Sequence, residues 1–284
     1  MRSSELEIRA GTPSRRRNGF ARRIEDADLA GVALKVLRIV LFYLALLGLW
    51  QLAYDAEIWS PFLFPSPGEV WDSLQQYINN GVLWDAIKAS MQRMFIGYTL
   101  SLFAGFVLGM LCGVNRYADE TVGSLVLGLQ SLPSITWLPL ALLWFGLNDN
   151  AIIFVVFMGS VCAVAISARA GVRGIPPLYR RAALTMGANH YQRLRYVLIP
   201  AMVPSMVQGL KLGWSFSWRS LMAAELLFVS ISLGHLLQVG RDLNNMSLVI
   251  GIMFVIVAIG LAVDRLLFAR LESWVFERWG WQSG

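Results

Sequence analysis

Residues Met94–Gly113 read MFIGYTLSLFAGFVLGMLCG, twenty positions without one charge. A helix needs about 20 predominantly apolar residues to cross the roughly 30 Å hydrocarbon core of a bilayer. In lipid every backbone N–H and C=O must be paired inside its own segment or in a closed barrel. A block of this length therefore sets the fold class as all-α and membrane-spanning. Within it Gly105, Gly109 and Gly113 recur at every fourth position. That spacing puts them on one helix face and predicts a packing seam where a second backbone approaches closely.

Similar blocks lie on either side. Val36–Tyr54 is interrupted only by Arg38, and Ala151–Ala168 and Leu243–Val263 are uncharged. Thr121–Gly146 is also uncharged but contains Pro133 and Pro139, so a kink or a short non-helical step is expected there. The stretch 201–237 is apolar overall yet holds Lys211, Arg219 and Glu225. Counting Val203–Val229 as a span gives about six transmembrane helices and places both termini on one side. The expected organisation is an Arg-rich tail over 1–35, a six-helix domain over 36–268 and a short tail over 269–284.

The rest of the composition agrees. Of 284 residues 56% are hydrophobic and 15% charged, against about 25% charged in soluble domains. The net charge is +6 and all but three of the 24 basic residues are Arg. Nine basic residues fall in 1–38, one in 114–120, six in 169–200 and three in 264–284. The opposite-side segments hold only Lys88, Arg93 and Arg241, the first two at the start of a span. Such an asymmetry follows the positive-inside rule, with cytosolic termini, and not a nucleic-acid patch. Trp50, Trp59, Trp71 and Trp84 fit one interfacial belt, and Trp274, Trp279 and Trp281 the other. The run Arg15, Arg16, Arg17 with Arg22 and Arg23 belongs to no signal peptide and reads as a solvated arm that sets topology, or one that lies on anionic lipid. Cys112 and Cys162 sit in apolar blocks, and His190 and His235 are far apart, so neither a disulfide framework nor a metal site is expected.

Two connecting segments carry their own helices. Ser66-Pro67-Gly68-Glu69 is a helix start with an N-cap, a first-turn Pro and an acid three after the cap. Val70, Trp71, Leu74, Tyr77 and Ile78 then share a face, and Asn80-Gly81 ends the helix. That face is expected to lie on the membrane surface or to dock a partner. On the basic side, Pro177–Thr185 and Asn189–Val197 read as two short helices separated by Met186-Gly187-Ala188, a hairpin able to act as a lever.

At this hairpin the sequence resembles the permeases of binding-protein-dependent ABC importers. Arg181-Ala182-Ala183, Gly187 six positions after Arg181, and Val197-Leu198-Ile199-Pro200 are similar to that family's cytosolic coupling loop, and Pro204–Lys211 resembles its continuation. Phe64–Trp71, Leu138-Pro139-Leu140 with Leu143–Gly146, and Ala223-Ala224-Glu225 followed by Leu233-Gly234 resemble the branch for nitrate, taurine and alkanesulfonates. The resemblance covers about 40–265. It implies that residues 176–200 couple to two ATP-binding cassette ATPase subunits, with Arg181, Ala182, Ala183, Gly187, Ile199 and Pro200 at the contact. It also implies a homodimer and an extracytoplasmic substrate-binding protein. Arg181 stands where the family often has Glu, which removes an acid from the first turn but leaves the Ala-Ala-Gly core. The chain has no GxxxxGK[ST] motif, so it is expected to be no enzyme: ATP belongs to the partner, and no cofactor is expected here.

Charges inside a span cost about 2.5–3.5 kcal/mol at mid-depth and so call for compensation. Lys211 can snorkel to the cytosolic interface. Ser215, Arg219 and Met222 fall near one face and are candidates for the translocation path, as is Glu225 at the outer end. Arg219 suits an oxyanion, since its planar donors can engage two oxygens. Alternatively it pairs with Glu225, which on a regular helix lies about 120° round, or with another helix. A sulfonate, taurine, nitrate or bicarbonate is the expected solute. A neutral heterocyclic solute in the same family is the alternative, and an intramembrane enzyme or a non-transporting anchor are readings from other classes. No nucleophile–base pair or HExxH appears to support the enzyme.

Overall fold

Long apolar runs with no period-two alternation fold as helices, and a computed structural model of the chain shows no strand among the described residues. It describes residues 17–279, without the side chains of 17–33, Arg180, His190 and Trp279. Arg15, Arg16 and Trp281 lie outside the described residues.

The chain forms two compact units that meet in sequence at Pro61 and Phe62. The first contains α1 (Arg17–Asp55), apolar over Leu34–Asp55. From Arg17 onward the segment expected as a polar tail is therefore helical, since no proline interrupts 17–35.

The second unit opens with α2 (Pro67–Asn79), whose capping box is complete: Ser66 Oγ accepts from the Glu69 N–H at 3.2 Å and Glu69 Oε2 accepts from the Ser66 N–H at 2.9 Å. α3 (Val82–Val114) follows the Asn80-Gly81 stop. Its 33 residues make it about 50 Å long, starting twelve residues before Met94. The extra turns are held by a buried face of Leu83, Ala86, Ser90 and Arg93.

The proline-broken span is two helices, α4 (Arg116–Gln130) and α5 (Ser134–Phe145), at 101° to each other. Pro133 ends the first, and Pro139 sits in the first turn of α-helix after a 3₁₀ step over Ser134–Trp137, where its missing N–H costs nothing. α6 (Asp149–Arg173) and the short α7 (Pro177–Thr185) come next. The second hairpin helix is not the isolated Asn189–Val197 element expected. It is a turn, α8 (His190–Arg193), running through a π-turn at Leu194–Leu198 into α9 (Ile199–Glu225). The chain then forms α10 (Leu233–Asp242), α11 (Met246–Val263) and, after a π-turn at Asp264–Phe268, α12 (Ala269–Trp279).

Four described helices are long and apolar enough to cross a membrane, five if α4 and α5 make one span. α9 is the sixth passage expected from sequence. It is long enough at 27 residues, but Lys211 and Arg219 make it more polar than a lipid-facing span, and its buried positions are spent on α3 and α6. The segment expected as a C-terminal tail packs on the body through α12: Val275 is buried and Glu272 meets Lys211 at 3.4 Å, while Asp264, just before it, meets the same lysine at 3.7 Å.

The centre is a seam between α3 and α6. A methyl group placed on Gly97, Gly105 or Gly113 would stand 2.8, 2.7 and 2.5 Å from Val156, Val164 and Val172. At Gly109 it would strike Ala168 and the Ala165 carbonyl. Ser101 completes the series, its Oγ accepting from Ser160 at 2.6 Å. Positions 97, 101, 105, 109 and 113 thus face 156, 160, 164, 168 and 172 in one register, so the two helices run parallel. α9 packs antiparallel on the same ridge. Gly213 faces Val164, Gly209 faces Ser167, and Ser217 donates to Ser160 at 2.7 Å. The chain Ser217→Ser160→Ser101→Tyr98 carbonyl satisfies these three buried hydroxyls.

The apolar face of α2 is also consumed here, not offered to a membrane or partner. Val70 is buried, and Leu74 lies so close to Gly251 of α11 that a methyl there would stand 2.7 Å away. Trp71 alone of that face is exposed.

Overpacking a close seam costs about 1–3 kcal/mol. Gly109→Ala is expected to lower the melting temperature of the detergent-solubilised protein, whereas Gly128→Ala, in a helix with nothing within 4 Å, does not lower it. Equal melting temperatures would contradict the seam.

Candidate functional site

Three places hold the polar chemistry of the second unit. At the end of the bundle away from the hairpin, Glu225 is fully buried at the last residue of α9. Its Oε1 meets Arg93 Nη1 at 3.1 Å, and its Oε2 accepts from Ser90 Oγ at 2.8 Å and from the Gly234 N–H at 3.2 Å. Ser90 Oγ in turn accepts from the Leu233 N–H at 3.0 Å. Arg93, 7% exposed, also reaches Asp149 at the start of α6 (2.9 Å) and donates to Ser230 Oγ (3.1 Å). One guanidinium thus ties α3 to the start of α6, the end of α9 and the loop before α10. Gly234 is required by closeness, because a methyl there would stand 2.5 Å from Glu225 Cβ. The separated Ala223-Ala224-Glu225 and Leu233-Gly234 stretches are one structural unit.

This placement removes Glu225 from the open surface of any path in this state, and it excludes the Arg219–Glu225 pair. Arg93 was hidden in the sequence as a flanking charge. Its position on the buried 86, 90, 93 face and the absence of a counter-charge near Glu225 on its own helix were the available signals.

The second place lies on the α9 face toward the α4–α5 break. Arg219 is exposed, its Nε donates to the Ser215 carbonyl at 3.1 Å, and its guanidinium stands 5.0 Å over the Phe216 ring. It has no acidic partner among the described residues. A cavity of about 300 Å³ is lined by Gln130, Ser131, Ser134, Gly159, Phe216 and Arg219. A more apolar hollow of about 660 Å³ lies one turn further along, with Ile135, Ala223, Leu226, Met246 and Met253 in its wall. The face of α9 that meets these spaces is 216, 219, 223 and 226, one position on from the 215, 219, 222 series expected. Met222 packs against the apolar core instead, and Ser215 contributes its carbonyl as an anchor for Arg219.

The third place is the hairpin. After α7 the backbone reverses at Gly187 with φ +76°, where a side chain costs about 1–2 kcal/mol. The Ala188 N–H returns to the Ala183 carbonyl at 3.0 Å, a C-terminal cap of the Schellman type. Asn189 and Gln192 then cap the next turn reciprocally at 2.8 and 2.9 Å. Ala183 is buried, while Arg181, Ala182 and Gly187 are exposed. So are Leu178, Tyr179, Met186 (86%), Tyr191 and Ile199. Pro200 is half-buried at the start of α9. Beside the hairpin end, Asp119 pairs with both Arg169 and Arg173 and fastens α4 to α6. Among the described residues no cluster of His, Cys, Asp and Glu is arranged to hold a metal.

A polytopic helical body with a capped, apolar hairpin at one end, a broken span and an unpaired cation beside it is a solute permease by architecture. The match to the model of binding-protein-dependent transport system inner membrane components covers residues 105–273, and the chain belongs to that family. It is 31% identical to the bicarbonate transport system permease protein of Synechococcus elongatus, over 70% of this chain and 71% of that one. With the taurine transport system permease protein of Escherichia coli it shares 27% identity, over 81% and 86%. Its fold matches a chain of the MetNI methionine ABC transporter in an inward-facing conformation with a TM-score of 0.62 at 19% identity, over 68% of this chain and 96% of that one.

Removing one partner of a buried ion pair costs about 3–5 kcal/mol, while replacing both by apolar residues costs less. Arg93→Ala and Glu225→Ala should each lower thermal stability more than the double variant Arg93→Met/Glu225→Leu does. Additive losses would contradict a coupled Arg93–Glu225 pair.

Proposed function

We propose that this chain is the membrane subunit of an ATP-driven importer of a small oxyanion, working as a homodimer with two ATPase subunits and a binding protein that delivers solute at the Arg93–Glu225 end. The observation that carries the reading is the hairpin. It presents Leu178, Tyr179, Met186 and Tyr191 to water on a short element held rigid by two caps, and an exposed apolar patch on a polar rim is the mark of a docking surface. Residues 176–200, with Arg181, Ala182, Ala183, Gly187, Ile199 and Pro200, form the ATPase contact. ATP is bound and hydrolysed on the partner. The concentration of basic residues in 1–38 and 169–200 supports a cytosolic hairpin and cytosolic termini in the cell membrane.

The oxyanion class rests on Arg219, a cation left without an acid on the face toward the broken span, and on kinship with permeases named for taurine and bicarbonate.

The test is uptake of labelled taurine, nitrate and bicarbonate into proteoliposomes holding the chain with its cognate ATPase and binding protein. ATP-dependent uptake of one of them is expected. Gly187→Val should lower it more than tenfold, since a β-branched residue is strained at φ +76°. Uptake of none of the three, or uptake that ignores ATP, contradicts the proposal.

A further inference from the structure

We infer that the break between α4 and α5 is an oxyanion subsite in which Gln130 and Ser134 act together with Arg219. The inference rests on the importer reading and names the residues that hold the solute's charged end. Three observations meet at this point. The first is the break: non-helical backbone at membrane depth is tolerated where it is buried in protein or lines a water-filled cavity, and discontinuous helices form the binding sites of other transporters. Here the chain turns through 101° next to a cavity of about 300 Å³, at the small end of the roughly 300–1,000 Å³ range of ligand sites.

The second is the state of the donors. Arg219 spends Nε on the Ser215 carbonyl, which fixes the guanidinium plane and leaves its two terminal nitrogens, the pair that grips two oxygens of one anion. The Gln130 amide and the Ser134 hydroxyl line the same cavity and have no hydrogen bond among the described residues. Ser131, although it lines the cavity, donates its hydroxyl back to the Gly128 carbonyl at 2.7 Å; it caps the end of α4 and is not a donor to solute.

The third is the floor. Gly159 of α6 lies under Ser134 and Ser220, and a methyl there would stand 3.3 Å from Ser134 Cβ and overlap the Ser220 side chain. The broken segment is thereby brought down onto α6 beside α9. Among the described residues no acid lines the cavity, so the charge of Arg219 is available to an anion in transit. One cation and two neutral donors bind without trapping, which passage requires.

The experiment uses Ser131→Cys as a reporter, with the buried Cys112 and Cys162 replaced by Ala, in the assembled transporter with its ATPase subunits in proteoliposomes. Rates of modification by an anionic (sulfonatoethyl) and a cationic (trimethylammonioethyl) methanethiosulfonate are compared with and without Arg219→Gln. An electropositive cleft concentrates counter-ions by about tenfold or more, so Arg219→Gln should lower the anionic-to-cationic rate ratio by about that factor. Millimolar taurine, nitrate or bicarbonate should slow modification only where Arg219 is present, and Ser134→Ala and Gln130→Ala should each weaken that protection. An unchanged ratio, a reporter that neither reagent reaches, or protection by none of the three anions overturns the subsite. ATP-driven uptake that persists alongside any of these results leaves the importer standing, whereas absent uptake tells against the importer itself.

Discussion

The close approach of α3 and α6 is the constraint on which the other features depend. Backbones come this near only where side chains are missing or tiny, and in lipid, where apolar surface gains nothing by leaving its solvent, such close packing is a main source of helix association. Gly97, Ser101, Gly105, Gly109 and Gly113 meet Val156, Ser160, Val164, Ala168 and Val172 in a single register. A slip of one residue would drive Cβ atoms into the opposite backbone. The register places Arg93, one turn beyond Gly97, within reach of Asp149 at the start of α6. At the other end it sets Gly113 against Val172, just before the chain leaves for the hairpin. Because α9 lies on the same ridge through Gly209, Gly213 and Ser217, the Arg93–Glu225 pair at one end and the hairpin at the other belong to one body.

Charge inside the second unit is distributed by the same logic. Arg93 is met by Glu225 and Asp149, and Lys211 by Glu272 and Asp264. Each of these cations is matched by acids on other helices, which offsets the cost of burial and ties elements together. Arg219 alone among the cations of α9 has no such partner among the described residues. Its charge stands unneutralised beside the cavity at the α4–α5 break.

Much of this was legible in the sequence because it is local. Span positions follow from twenty-residue apolar runs, the α4–α5 break from Pro133, the α2 start from Ser66 and Glu69, and the hairpin turn from Gly187. Long-range facts were not legible. Arg93 and Glu225 are 132 positions apart, and nothing in either neighbourhood names the other. The four-residue spacing marks only Gly105, Gly109 and Gly113, although Gly97 and Ser101 extend the seam, because serine in a span reads equally well as polar or as merely small. The residues of α9 that line the two cavities, Phe216, Arg219 and Ala223, were not legible either, since Ser215 and Met222 suit a polar lining equally well by residue type and only packing turns Met222 into the core. The hairpin's second helix does not stop at Val197 because a π-turn absorbs one extra residue without a sequence signature.

Close packing makes α3, α6 and α9 one frame, which is expected to stay shut through the transport cycle proposed above. Ser101 and Ser160, with hydroxyl oxygens 2.6 Å apart, allow a direct measurement. Ser101→Cys/Ser160→Cys, with Cys112 and Cys162 replaced by Ala, is oxidised to the disulfide in the assembled transporter, and ATP-driven uptake is compared before and after reduction. Equal uptake in the two states is expected, since a seam that stays shut loses nothing by being cross-linked. Uptake that falls on oxidation and returns on reduction would show that α3 and α6 must separate, and would contradict it.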